Sequence, residues 1–238
     1  MSSPQRMTWL PTPIHGRSRE PASLASCKEV GTTLPTQLTP ACSVNFKTGA
    51  FTEFLAIPWD LVWSIGDLPY EEAATISMCG LTAAQGLDRQ GLSLPFSPQP
   101  TDTAGKTYVI YGASTSLAMY AAQLARALDP AVTLIGVASK GKHDFLRREF
   151  GYDYLFDYRD NDWAEQIAAL GPVDYAFDAI TEGDSTKSLD RILADDGKLV
   201  VFRFPKGEFK HEPVYGAVWE GLGEDVDYGR ELWLRSCN

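Results

Sequence analysis

The strongest constraint on this chain is a regular alternation that begins at Thr107. Short apolar runs of strand length follow one another, each separated from the next by residues with helical spacing. Residues 107–111 form the first run, and Leu117, Ala121, Leu124 and Leu128 then recur at helical intervals. Further strands are expected at 132–138, 154–158, 173–180 and 198–204, with 214–219 a candidate sixth. Helices are expected at 143–150, ended by Gly151, and at 162–170, stopped by Gly171-Pro172. A third runs to about Leu193, its start marked by Thr181 and Asp184 at the spacing of a capping box. Strands joined through helices pair in parallel, and near-continuous apolar strands are buried on both faces. The expected fold class is therefore α/β, a doubly wound parallel sheet.

Upstream the pattern is weaker. Residues 1–44 are rich in Pro, Ser and Thr without a period, and are expected to be poorly ordered. Arg6, Arg17, Arg19 and Lys28 against Glu20 faintly suggest a transit peptide, but Pro4, Pro11, Pro13 and Pro21 break the amphipathic helix such a peptide needs. A cytoplasmic location is expected instead. Segment 45–90 carries a β-like apolar stretch (Phe51, Phe54, Leu55, Ile57, Leu61, Trp63, Ile65), followed by a helix from Ala73 to about Leu87. Glu71 and Glu72 lie at its start, where the helix dipole favours acids. Segment 91–106, with Pro95, Pro98, Pro100 and Gly105, is expected to be a loop. The formal charge of −10 argues against broad nucleic-acid binding. Cys27, Cys42, Cys79 and Cys237 lack metal-ligand spacing and read as free thiols. No apolar run reaches the roughly 18–20 residues of a membrane helix.

In such a sheet ligands bind beyond the carboxyl ends of the strands, so the first turn after 107–111 is the place to look. It reads Gly112-Ala113-Ser114-Thr115-Ser116-Leu117. Only the first glycine of a G-x-G-x-x-G fingerprint is present; Ser114 and Leu117 stand where the others would be. A helix starting near Ser116 still offers free N–H groups and a positive dipole end to a pyrophosphate, with three hydroxyls beside them. The alternative is that those hydroxyls only cap the helix. The second strand shifts the balance. It runs into Ser139-Lys140-Gly141-Lys142-His143, with no acid before Asp144. A carboxylate there would bind the ribose 2′-hydroxyl of NAD, whereas lysines and a serine attract the 2′-phosphate of NADP(H). The competing reading is a solvated surface turn. Tyr158-Arg159, after the third strand, either adds a phenol and a guanidinium to that phosphate or is an ordinary surface pair.

Several segments together resemble one family. They are Glu72-Ala73-Ala74-Thr75, Gly80-Leu81-Thr82-Ala83-Ala84, Tyr111-Gly112-Ala113-Ser114-Thr115-Ser116, Phe156-Asp157-Tyr158-Arg159 and Ala176-Phe177-Asp178-Ala179-Ile180-Thr181. In order and spacing, from about Gly49 to Gly229, they look like the medium-chain dehydrogenase/reductase superfamily. The likeness is to its zinc-independent branch that holds the trans-acting enoyl reductases of fungal polyketide synthesis. The resemblance implies a Rossmann-type NADP(H) domain at 107–220 beside a mostly β, GroES-like catalytic domain. It implies NADPH as hydride donor, a carrier-bound α,β-unsaturated acyl thioester as substrate, and a polyketide synthase as partner.

Carried over by position, Gly112 and the residues Ser114, Thr115, Ser116 and Leu117 would border the pyrophosphate. Ser139, Lys140, Gly141, Lys142 and His143 would approach the 2′-phosphate, and Tyr158 the adenosine. Phe202 and Arg203 would flank the nicotinamide. Thr82, Ala83, Ala84, Gln85, Gly86, Leu87, Asp88 and Arg89, with Glu220, Gly221, Leu222, Gly223 and Glu224, would line the substrate channel. Packing in the core is the alternative for Thr82 to Arg89.

The chain also departs from the family. Only the last part of the catalytic domain, from about Gly49, is recognisable, and 1–44 has no counterpart to the segment that supplies nicotinamide contacts. After Gly229 the family continues further, whereas 221–238 reads as a shortened C-terminal segment. Zinc ligands of the alcohol dehydrogenases are missing, so no metal is expected. Two alternatives stay open: a quinone or carbonyl reductase on the same scaffold, and a shortened, inactive cofactor- or partner-binding protein.

Overall fold

A computed structural model describes residues 67–92 and 105–216, together with Tyr228. The expected disorder of 1–44, the β-like stretch at 51–65, most of the 91–106 loop and nearly all of 221–238 lie outside the described residues. The chain divides into two compact units, Met1–Leu81 with Val218–Asn238, and Thr82–Ala217. Described residues of the first are chiefly the opening turns of helix α1 (Tyr70–Arg89), which carries Glu71 and Glu72 at its start as expected. The second unit holds the remaining elements.

Those elements are β1 (Thr107–Tyr111), α2 (Ser116–Leu128), β2 (Thr133–Val137), α3 (His143–Phe150), β3 (Tyr154–Phe156), α4 (Trp163–Ala168), β4 (Val173–Asp178), α5 (Ser185–Ile192), β5 (Leu193–Val201) and β6 (Val214–Tyr215). A single 3-10 turn, Lys140–Lys142, precedes α3. The six strands order as β3-β2-β1-β4-β5-β6, and every pairing is parallel. This is the doubly wound arrangement, with the strand order reversing between β1 and β4.

Side-chain alternation explains why both faces are filled. Val109, Ile135, Val137, Ala176, Leu199 and Val201 point to one face and pack with Trp163, Ala164, Ile167, Leu189 and Ile192 of α4 and α5. Their neighbours Tyr108, Ile110, Leu134, Phe177 and Val200 are equally buried on the other. Helix α3 ends as expected: Gly151 takes the left-handed conformation at φ 65°, and its N–H donates to the Arg147 carbonyl.

Several element ends differ from the sequence expectation, and three departures bear on the site. β5 begins at Leu193 rather than Lys198 and ends at Val201; Leu193 pairs with Val173 and Lys198 with Tyr175, so the strand is irregular between them. β3 stops at Phe156, because Asp157 turns its carboxylate back onto the N–H of Arg159 at 3.0 Å. The Thr181–Asp184 capping box does not form. Asp184 is the N-cap but makes no side-chain capping bond. Thr181 instead donates its hydroxyl to the Asp178 carbonyl at 3.0 Å and takes φ 52°.

A buried glutamine closes the sheet beneath α1. The Gln90 amide donates to the carbonyls of Ala176 (2.9 Å) and Lys198 (3.0 Å), and its oxygen accepts the Tyr108 hydroxyl at 2.6 Å. Three strands thus depend on one side chain. Gln90→Leu would leave the Tyr108 hydroxyl buried without an acceptor, and is expected to cost about 2–4 kcal/mol. A urea titration checks this through a lowered midpoint at unchanged slope.

Candidate functional site

The carboxyl ends of the strands stand in one register row. Phe156 pairs with Val137, Val137 with Tyr111, Tyr111 with Asp178, Asp178 with Val201, and Val201 with Tyr215. Adjacent strands lie about 4.8 Å apart, so the loops after these residues form a single lip. The turn after β1 sits in its middle. The Lys140 and Tyr158 loops follow on the β2–β3 side, and Phe202 and Arg203 on the β4–β5 side.

Geometry demands glycine at position 112 twice over. Its φ is 76°, and an added Cβ would come within 2.6 Å of Ile180 Cγ1. The N–H groups of Gly112 and Ala113 donate to the Val137 carbonyl, and that of Thr115 to the Gly112 carbonyl. Thr115 is the N-cap of α2: its hydroxyl accepts the Ala118 N–H at 3.2 Å. For Thr115 the capping alternative is therefore met. Among the described residues, no acceptor meets the N–H of Ser114, Ser116 or Leu117, nor the hydroxyls of Ser114 and Ser116. These donors gather at the positive end of a 13-residue helix.

One strand over, the β2–α3 loop is tied down from three sides. The His143 ring approaches the Ala138 carbonyl through Nε2 at 3.0 Å, and Lys142 N–H donates to the Ser139 carbonyl at 2.8 Å. Lys140 N–H donates to Asp157 Oδ2 at 3.0 Å. His143 thus anchors the start of α3. Lys140, Gly141 and Lys142 are exposed and Ser139 is half-buried. Nine Lys and Arg side chains of the described residues are paired with carboxylates, but neither Lys140 nor Lys142 has such a partner among them. In an acidic chain this places two ammonium groups without a carboxylate partner among the described residues on one short loop.

Asp157 is the residue that sequence reasoning passed over at this place. Its other oxygen accepts both the N–H (3.0 Å) and the guanidinium (3.3 Å) of Arg159. The backbone N–H groups of Arg159 and Lys140 hold its carboxyl below the usual carboxylate range. The Arg159 guanidinium also lies 4.4 Å from the centroid of the exposed Tyr158 ring. Reading along β2 alone found no acid before Asp144; the acid arrives from the neighbouring strand.

A second unforeseen residue organises the other half of the lip. Asp178, fully buried at the end of β4, accepts N–H groups of Ile180 (3.1 Å) and Thr181 (2.8 Å) and the hydroxyls of Ser185 and Thr186 (2.7 Å each). Thr181 then passes the order on, accepting Phe202 N–H through its hydroxyl oxygen at 3.3 Å. The Phe202 ring packs on Phe177, with centroids 4.7 Å apart, and Arg203 pairs with Glu182 at the surface.

The segment Thr82 to Arg89 is mostly interior. Ala83, Ala84, Gln85, Gly86 and Leu87 are buried, and a Cβ on Gly86 would meet the Phe202 ring at 2.9 Å. Thr82, Asp88 and Arg89 keep partial exposure, with an Arg89 guanidinium nitrogen donating to the Tyr215 carbonyl. A channel-lining role for Ala83 to Leu87 meets a packed interior instead, because helix and sheet close on each other through Gly86. Glu220, Gly221, Leu222, Gly223 and Glu224 lie outside the described residues. Among the described residues there is no cluster of metal-ligating side chains, and no helix is long and apolar enough to cross a membrane.

Residues 117–217 match the family model described as zinc-binding dehydrogenase. The trans-enoyl reductase ACTTS2 of Alternaria alternata is 27% identical, over 94% of this chain and 73% of its own. That alignment takes in part of 1–44 as well. The trans-enoyl reductase himH of Aspergillus japonicus is 32% identical over 74% of this chain and 52% of its own. Among solved structures, the CurF ER cyclopropanase from the curacin A biosynthetic pathway superposes with a TM-score of 0.65 at 23% identity, over 78% of this chain and 56% of that one. The mycobacterial Rv1454c complexed with NADPH gives a TM-score of 0.60 at 23% identity, over 78% and 59%. The chain thus spans about three quarters of one curated relative and about half of the other. At these identities the solved structures speak for the fold.

The turn yields a direct test. Gly112→Ala combines an unfavourable backbone conformation with a clash against Ile180. It is expected to lower stability by about 1–3 kcal/mol, seen as a lower midpoint in thermal unfolding.

Proposed function

We propose that this chain is a member of the medium-chain dehydrogenase/reductase superfamily that binds NADPH and serves as a trans-acting enoyl reductase. The substrate would be the α,β-double bond of a polyketide thioester, presented by a partner synthase. The observation that carries the cofactor assignment is the pair of ammonium groups, Lys140 and Lys142, on the loop after β2, neither with a carboxylate partner among the described residues. Asp157, the carboxylate hydrogen-bonded to this loop, has both oxygens engaged, Oδ2 by Lys140 N–H and Oδ1 by Arg159.

The residues present fit the cofactor. Ser114, Ser116 and Leu117 supply unused N–H donors for a pyrophosphate, and Gly112 lets that backbone approach closely. Ser139, Lys140, Gly141, Lys142 and His143 form the loop that would take the 2′-phosphate. Tyr158 would lie against the adenosine. Phe202 and Arg203, on the far side of the strand-order reversal, would flank the nicotinamide. Bound NADPH supplies a hydride for reduction of a polarised double bond. The lip contributes orientation: its loops are tied together by Asp157 and Asp178, so they need little ordering on binding. Thr82, Asp88 and Arg89 are the members of their segment open enough to meet a substrate. The curated relatives named as trans-enoyl reductases support the reaction class.

The cofactor assignment is checked by titrating the purified chain with NADPH and NADH. Lys140→Ala with Lys142→Ala is expected to weaken NADPH about 100-fold, each lost charge-assisted contact being worth roughly tenfold. NADH should change little; equal losses for both would remove the 2′-phosphate assignment. For the reaction, crotonyl thioester should be turned over with NADPH in preference to a quinone. Brisk quinone turnover without enoyl turnover would overturn the reading.

A further inference from the structure

The carboxylate of Asp157 presents a paradox if NADP(H) is the cofactor, the reading on which this inference rests. It is an ionised acid bonded to the same loop whose lysines would receive a doubly charged phosphate. By charge alone it opposes binding. Its geometry says something different. Asp157 directly follows β3, where Phe156 accepts the Ala138 N–H at 3.0 Å and fixes the two strands in register. From that fixed point Oδ2 reaches Lys140 N–H at 3.0 Å, the residue that opens the 3-10 turn. Oδ1 takes the N–H and guanidinium of Arg159. The side chain keeps only 13% of its exposure, and each oxygen already accepts at least one donor. Arg159 is held in turn, between this carboxylate and the Tyr158 ring.

Two consequences follow. The loop carrying Lys140 and Lys142 has its first residue pinned before any ligand arrives. The negative charge that does the pinning is matched by Arg159, and among the described residues neither lysine is paired with a carboxylate. We propose that Asp157 is a positioning residue for NADP(H) selectivity: it never touches the cofactor, but preorganises the Ser139–Lys142 loop for the 2′-phosphate, with Arg159 as its counter-ion. Arg159 is then a balancing charge rather than a phosphate ligand.

The sign of one substitution separates this from simple electrostatics. Asp157→Ala removes a repelling charge and frees Arg159, so charge alone demands tighter NADPH binding. Preorganisation demands weaker binding, because the loop must now be ordered by the ligand. Freeing the backbone of one residue corresponds to about tenfold in affinity. The experiment titrates the full chain and its variants with NADPH and NADH, following cofactor fluorescence. Asp157→Ala is expected to raise the NADPH dissociation constant about tenfold and to leave that for NADH within about twofold. A general packing defect would move both equally, and that outcome overturns the proposal, as does tighter NADPH binding. Should Asp157→Ala fail to fold, Asp157→Asn carries the same test. It is neutral and keeps one acceptor for Lys140 N–H, so a smaller loss confined to NADPH supports the proposal and a gain overturns it. The lysine double variant serves as the control on the underlying reading. If it leaves the NADPH-to-NADH ratio unchanged, the 2′-phosphate site itself is wrong. If it collapses that ratio while Asp157→Ala does not lower it, only the positioning role fails.

Discussion

Much of the lip depends on a buried carboxylate meeting enough donors. Asp178 sits at the end of β4 with no access to water, where an unpaired charge would cost several kcal/mol. Two backbone N–H groups and two hydroxyls meet it. To deliver them, the chain after β4 must fold back at once, with Thr181 in a left-handed conformation that a threonine rarely takes. That fold-back places Ile180 against Gly112 and sets Thr181 to receive Phe202 N–H. The turn after β1 and the start of the segment after β5 are thereby positioned by the same charge.

Asp157 repeats the device on the other side of β1. There the donors come from two loops instead of one, and the carboxylate joins the end of β3 to the loop after β2. Both acids accept two backbone N–H groups, so they order main chain as well as side chains. A chain with formal charge −10 can still offer a phosphate site, because its local cations are not all spent. Most described lysines and arginines pair with acids; Lys140 and Lys142 do not. Electrostatic preference here is a matter of which charges are already committed, and net charge says little about it.

The alternation of strand and helix made the sheet legible in advance, and β1 and α3 fall where periodicity and Gly151 put them. Gly112 was legible as a turn residue, and Lys140 and Lys142 as cations in an unexpected place. Other features were hidden. Thr181 and Asp184 have the spacing of a capping box, yet Asp178 outcompetes that local pairing because a buried charge gains more from donors than an exposed helix start does. For Ala83 to Leu87 the sequence left core and channel both open, since a polar Gln85 and small alanines fit either equally well.

By itself, then, the sequence determined the order of elements, their parallel pairing and the identity of the glycine turn. Those follow from local periodicity and from backbone conformations that few residues allow. Only the tertiary structure decided which charges are free. Asp157 and Lys140 lie seventeen residues apart in sequence and one hydrogen bond apart in space. Asp178 meets its Ser185 and Thr186 partners only once α5 has packed. Hydrogen bonds between adjacent strand ends depend on register, and register is a property of the assembled sheet.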